Sequence, residues 1–295
     1  MPRSKIPEGE LANFIVKTRY LSSQSTEQQK NLTLIRNMAN RMFRDHIGYT
    51  LTGEHRIKEK GEPVFAQAVA RDARRQPRSS APAGPKSHVR YLGEGSFLWE
   101  GSKVLVLGIP PALKSVEKVD YLVADRFSPA LREPLLELMV RYKPTLIALP
   151  EVAAEATLRG FKAHAVHLGG GLSLDGITIH GVNAQSSEDL APCSYVVEMS
   201  GTVLYHAGRS ALTHDMQVVG DLFHVDVMTV PLGLTLPMSF WAAARAVEWV
   251  GARWVLPWTA EEGVFPKELQ KHLGDTARVK VLTANETWEV ARKGE

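Results

Sequence analysis

The stretch that decides the fold is VLYHAGRSALTHDMQVVGDLFHVDVMTVPLG, residues 203–233. Residues 203–206 form an apolar run of strand length, and residues 216–222 carry apolar side chains at helical spacing. Residues 225–230 are again almost continuously apolar, as in a strand that is buried on both faces. The stretch therefore alternates strand, helix and strand, which indicates an α/β protein.

The same alternation continues on both sides of this stretch. Towards the N-terminus, strands are predicted at 88–92, 97–100, 103–107, 120–124 and 145–149, and helices at 129–142 and 151–159. A meander of strands is predicted between residues 162 and 179, and further strands and helices between residues 239 and 290. Meandering strands followed by β/α alternation predict two mixed sheets that are covered by helices.

Charge divides the chain into two parts. Residues 1–88 hold 16 Lys and Arg against 8 Asp and Glu, whereas residues 89–295 hold 19 against 24. The stretch RQPRSSAPAGPKS, residues 75–87, has the proline, glycine and serine content of a linker. We therefore predict a basic helical extension with its linker at 1–87 and a globular domain at 88–295.

The extension carries a predicted amphipathic helix at residues 25–47. Its apolar face and a nearby arginine cluster suggest docking on protein partners in a larger assembly, and the basic charge also suits nucleic acid. The alternative is a solvated extension whose charges serve solubility. The predicted docking residues are Leu32, Ile35, Met38, Met42, Phe43, Arg71, Arg74 and Arg75.

Several classes of protein are excluded by composition. Cys193 is the only cysteine, so neither a disulfide framework nor a zinc site built on thiolates can form. No apolar run reaches the length of a membrane span, and the N-terminus lacks a secretory signal, which favours the cytoplasm. None of Ser96, Ser186 and Ser187 has an evident His–Asp partner, so a serine nucleophile has no support.

Four segments in order, and one turn within the third of them, resemble the metallo-β-lactamase superfamily, in its branch of ascorbate-phosphate lactonases and related predicted hydrolases. They are residues 91–107, 164–182, 203–233, the turn HAGRS within the last of these, and residues 237–258. The resemblance implies a four-layer αββα sandwich of α/β class, preceded here by the basic, mainly helical extension. It also implies one or two metal ions that activate water for hydrolysis.

The positions that would hold those metal ions carry other residues here. In the loop ADRFSPA, Asp125, Phe127 and Ala130 occupy the histidine positions of the family. Arg209 occupies the position of the bridging aspartate, and its guanidinium would repel a cation. We therefore predict no metal, no cofactor and no catalytic residue, in a degenerate cleft formed by Glu94, Asp125, Arg126, Gln185, Arg209, Trp258 and Thr259.

Three functions follow as expectations from these substitutions. The first is a non-catalytic pseudoenzyme that acts as a structural or binding subunit and docks through its N-terminal arm. The alternatives are a metal-dependent hydrolase of lactonase or phosphodiesterase type with unusual ligands, and a protein that binds an anionic small molecule through Arg209 and Arg126. If the metal site is lost, we expect Arg209 to pair with Asp125 or Glu94 in place of a metal ion, so that the site is a salt bridge rather than a reaction centre.

Overall fold

The computed structural model describes residues 85–111, 113, 116–186, 189, 192–233, 236–261 and 263–290. Within these ranges, fourteen strands form two seven-stranded mixed sheets. The predicted docking residues of the N-terminal extension, from Leu32 to Arg75, lie outside the described ranges, so their role stays a prediction.

The first sheet contains the N-terminal strands and one strand from the C-terminus. Its order is β14-β1-β2-β3-β4-β5-β6, and the strands from β3 to β6 are parallel. The bounds are β1 His88–Gly93, β2 Ser96–Glu100, β3 Val104–Leu107, β4 Tyr121–Val123, β5 Thr145–Ala148, β6 Ala163–Ala165 and β14 Thr287–Glu289.

The second sheet contains the stretch from which the fold was deduced. Its order is β13-β12-β11-β10-β9-β8-β7, and the strands from β10 to β13 are parallel. The bounds are β7 Gly171–Leu174, β8 Ile177–Asn183, β9 Cys193–Met199, β10 Thr202–His206, β11 Val227–Pro231, β12 Trp254–Trp258 and β13 Arg278–Val279.

Five α-helices and two short 3-10 helices, η1 and η2, cover the outer faces of the sheets in the described ranges. The helix Phe240–Val250, α4, shows why they form where they do. Ser239 caps its N-terminus by accepting from the amide of Ala242, and Gly251 ends it in the left-handed conformation. The bounds are η1 Pro129–Leu131, α1 Arg132–Tyr142, α2 Pro150–Leu158, α3 Asp215–Leu222, α4 Phe240–Val250, η2 Pro266–Glu268 and α5 Leu269–Leu273.

Three apolar clusters define the layers. One lies between the sheets and includes Trp99 and Tyr195. A second packs α1 and α2 on the first sheet through residues such as Leu138, and a third packs α3, α4 and α5 on the second sheet through residues such as Val247. The prediction of an αββα sandwich is therefore confirmed. The longest described helices have 11 residues, too few to cross a bilayer.

Candidate functional site

The site lies where parallel strands of both sheets end. Asp125 follows the last residue of β4 in the first sheet by two positions, whereas His206 and Trp258 are the last residues of β10 and β12 in the second. Packing of the two sheets brings these ends together, although Asp125 and His206 are 81 residues apart in sequence. Side chains at the carboxyl ends of parallel strands form the ligand sites of many α/β proteins.

Asp125 and His206 form a buried pair that bridges the two sheets. The Nε2 atom of His206 lies 3.3 Å from Oδ2 of Asp125, and its Nδ1 atom lies 2.9 Å from Oγ1 of Thr229. Because a carboxylate only accepts hydrogen bonds, Nε2 donates, and in the neutral ring Nδ1 then accepts from the Thr229 hydroxyl. Both ring nitrogens of His206 are therefore engaged within the protein.

The turn after β10 approaches Asp125 closely because it contains a glycine. Gly208 has a φ of +58°, and a Cβ atom at this position would lie 2.8 Å from Oδ2 of Asp125. A side chain there would both strain the backbone and displace the carboxylate. The HAG sequence thus has a structural role in enclosing Asp125.

Arg126 is the main cationic partner of Asp125. Its Nη1 atom lies 3.2 Å from Oδ2 and 3.4 Å from Oδ1 of Asp125, and its side chain is only 5% exposed. Burial by itself would raise the pKa of the Asp125 carboxyl, but Arg126 and the hydrogen bond from His206 hold that pKa below its ordinary value. Asp125 is therefore an ionised carboxylate in a dry environment.

Arg209 has a different partner from the one predicted. Its Nε atom lies 3.9 Å from Oδ2 of Asp189, and its guanidinium carbon lies 5.9 Å from the centre of the Trp258 ring. The prediction that Arg209 pairs with Asp125 or Glu94 is wrong, because the neighbouring Arg126 reaches the Asp125 carboxylate first. Asp125, Arg126, Asp189, His206 and Arg209 together are called the carboxylate–arginine site below.

The side chains of the other residues predicted for the cleft are not part of the carboxylate–arginine site. Glu94 offers its backbone carbonyl to Nη2 of Arg126 at 3.5 Å, and Gln185 is exposed. The Thr259 hydroxyl accepts from the amide of Glu261 within its own loop. Trp258, which is predicted to line the cleft, is 2% exposed and packs against Gly95.

Sequence reasoning missed two participants, Asp189 and the His206–Thr229 pair. His206 lies in the HAG turn, which in the sequence indicates only the resemblance to the family, and Thr229 is a buried residue of an apolar strand. Asp189 lies in a polar loop with no periodic pattern, so nothing in the sequence distinguished it from its neighbours. Asp189 is assigned to the site only because its carboxylate lies within ion-pair distance of Arg126 and of Arg209.

The described residues do not fit the metal centre that the resemblance implies. No group of three or more His, Cys, Asp or Glu side chains among them is placed to hold a metal ion. The Asp125 carboxylate is already paired with Arg126, and both nitrogens of His206 are engaged. We therefore derive no chemical step that passes through a bound metal.

Comparison with known proteins shows to which superfamily this chain is related. A family model described as a beta-lactamase superfamily domain matches residues 88–259, which include the whole carboxylate–arginine site. A Korarchaeum cryptofilum protein named a metal-dependent hydrolase is 28% identical over 219 residues, which cover 68% of this chain and 99% of its own length. A Methanocorpusculum labreanum protein of the same name is 31% identical over 182 residues, covering 57% of this chain and 81% of its own length.

A solved structure shows the same fold. Igni18, described as a novel metallo hydrolase from the archaeon Ignicoccus hospitalis, matches with a TM-score of 0.64 and 23% sequence identity. The match covers 70% of this chain and 100% of that one. At this level of identity the likeness supports the fold and not a shared reaction.

These comparisons contradict the prediction of a non-catalytic structural or binding subunit. The relatives that align along most of their own length are named metal-dependent hydrolases, which favours the hydrolase alternative. The prediction was wrong because it equated the loss of the family's metal ligands with the loss of hydrolysis. The absence of the family's metal ligands argues against the family's metal centre, but it does not argue against hydrolysis by a different arrangement of side chains.

Proposed function

Because this chain belongs to the β-lactamase superfamily, we propose that it is a hydrolase whose reaction takes place at the carboxylate–arginine site. One observation carries the proposal: the family match spans residues 88–259 and so includes both strand ends that form the site. The names of the relatives support the same class of reaction.

Arg209 is the group that we expect a substrate to meet first. Its side chain is 23% exposed, against 5% for Arg126, and its guanidinium lies over the Trp258 ring. A guanidinium presents paired donors that match the oxygens of a phosphate or carboxylate. We therefore propose anionic substrates, such as phosphoesters or esters and lactones that carry an acidic group.

Asp125 is the proposed proton acceptor. In the hydrolytic step, the water oxygen bonds to the phosphorus or carbonyl carbon, and a proton of the water passes to the Asp125 carboxylate. The bond to the ester oxygen breaks, that oxygen takes a proton from solvent, and Asp125 then releases its own proton to solvent. The nearby arginines stabilise the negative charge of the transition state. Since the Asp125 side chain is fully enclosed, substrate binding must open a path for water to it.

The test is a hydrolysis assay on the full-length protein. Bis-p-nitrophenyl phosphate and an acidic lactone serve as anionic substrates, and p-nitrophenyl acetate serves as the neutral one, each with chelator and with added Zn²⁺ or Mn²⁺. Arg209→Ala is expected to raise KM for the anionic substrates by about 10-fold or more, since it removes a charge-assisted contact. Asp125→Asn is expected to lower kcat by about 100-fold or more.

Two controls make the assay decisive. Arg245→Ala removes an exposed arginine of α4 that pairs with Glu248, far along the chain from the site, and should leave KM unchanged. Asp125→Asn is assayed at a temperature at which circular dichroism shows it folded. If no substrate is hydrolysed faster by the unmodified protein than by Asp125→Asn under any metal condition, the proposed function is wrong.

The role of the N-terminal extension is a separate proposal. We propose that residues 1–87 form a segment distinct from the hydrolase domain and dock on an acidic partner in the cytoplasm, either a protein or nucleic acid, through Arg71, Arg74 and Arg75. Replacing these three residues with alanine is expected to lower the salt concentration at which the full-length protein leaves a heparin column. An unchanged elution, alongside an unchanged Arg245→Ala control, would contradict docking through this cluster.

A further inference from the structure

We propose that Arg126 takes the place of a metal ion in this site: its guanidinium balances the charge of Asp125 and, together with Arg209, that of Asp189. This inference goes beyond the proposed hydrolase activity and does not depend on it. It concerns what holds the two carboxylates in place, and it can be tested without a substrate.

The contacts of Arg126 are those of a fixed internal group. Nη1 faces both oxygens of Asp125 at 3.2 and 3.4 Å, and Nη2 donates to the Glu94 carbonyl at 3.5 Å. The third nitrogen, Nε, lies 3.7 Å from Oδ1 of Asp189. Two of the three nitrogens therefore donate hydrogen bonds, and the third lies within ion-pair distance of a carboxylate. These partners come from the loop after β4, the β1–β2 hairpin and the loop after β8.

Burial makes this charge balance necessary. The side chains of Asp125, Arg126 and Asp189 are 0%, 5% and 8% exposed. A carboxylate that is removed from water to this degree needs a positive partner and hydrogen bonds. A guanidinium stays protonated at any pH at which proteins fold, so it supplies that charge permanently.

The position of Arg126 also works against a divalent cation beside Asp125. Carboxylate oxygens bind zinc at about 2.0–2.2 Å, so an ion on Asp125 would lie next to the guanidinium that already faces both oxygens. Two cations at that separation repel each other strongly in a dry site. His206 offers no open nitrogen as compensation, because it already contacts Thr229 and Asp125.

Metal content and thermal stability of the unmodified full-length protein provide the first test. We expect substoichiometric Zn, Mn and Fe by mass spectrometry, and a Tm that neither rises with added metal nor falls with chelator. A tightly bound ion would instead raise the Tm, because a ligand that binds only the folded state stabilises it. About one or two bound equivalents, or a Tm that falls on chelation, would overturn the proposal.

Variants of Arg126 provide the second test. Arg126→Gln is expected to lower the Tm by about 10 °C, as the loss of one partner of a buried ion pair in a domain of this size predicts. Asp125→Asn combined with Arg126→Gln should recover a large part of that loss, because the carboxylate that Arg126 mainly balances is then neutral and Asp189 keeps Arg209 as a cationic partner. Arg245→Ala, an exposed arginine, is the matched control and should shift the Tm little.

The double variant separates charge balance from simple packing. If Arg126 acted only by filling space, the double variant would be at least as unstable as Arg126→Gln, and that result would overturn the proposal. Should Arg126→Gln fail to fold, the metal content of the unmodified protein still decides. A protein without bound metal and without hydrolysis would contradict the proposed function alone, whereas hydrolysis with a stoichiometric metal would contradict this inference alone.

Discussion

Replacing Trp99 with alanine is expected to lower the free energy of unfolding by about 3–5 kcal/mol. Trp99 is 0% exposed and lies in the apolar cluster between the two sheets, opposite Val89 on one neighbouring strand and Leu105 on the other. Its Nε1 atom has no hydrogen-bond partner in the described structure. The expected loss therefore comes from apolar burial and the cavity left behind, and not from a lost hydrogen bond.

Urea unfolding followed by circular dichroism measures this effect. Trp241→Ala is the matched control, because Trp241 is the same residue type but is 66% exposed on α4. It should change stability by less than about 1 kcal/mol. Equal losses for the two variants would mean that the inter-sheet cluster is not the main core of the protein.

Replacing Asp125 with alanine is expected to cost about 3–5 kcal/mol of stability, because it leaves the buried Arg126 guanidinium without its main partner. The hydrogen bond from His206 that links the two sheets is lost as well. Glu248→Ala, which breaks an exposed ion pair with Arg245, is the control and should cost no more than about 1 kcal/mol. A loss for Asp125→Ala no larger than that of the control would show that the pair adds little.

The contribution of Asp125 to the free energy of unfolding should also depend on pH, and it should decrease in acid. Its pKa in the folded protein lies below the ordinary value of 3.8. The stabilisation is therefore fully present above that pH, and it is lost as the pH falls through the folded-state pKa. The free energies of unfolding of the unmodified protein and of Asp125→Ala, measured by equilibrium unfolding, should accordingly differ most at neutral pH and become similar in acid.

The interpretation of the site changed more than that of the fold. The prediction for the site began from Arg209, which stands where the resemblance to the superfamily implies an acidic residue. The structure assigns the balancing charge to Arg126 and leaves Arg209 beside Asp189 and Trp258. A hydrolase with an internal cation is a different proposal from an inactive scaffold, and the metal and activity measurements distinguish the two.

The sequence by itself determined the elements and their layers, because apolar spacing is a local property of the chain. The alternation in residues 203–233 appears in the structure as β10, α3 and β11, and the helices predicted between residues 239 and 290 include α4, Phe240–Val250. Tertiary structure alone decided which charges meet. Asp125, Asp189 and His206 come from three distant segments, and pairing in a buried site depends on reach and desolvation, which no pattern in the sequence records.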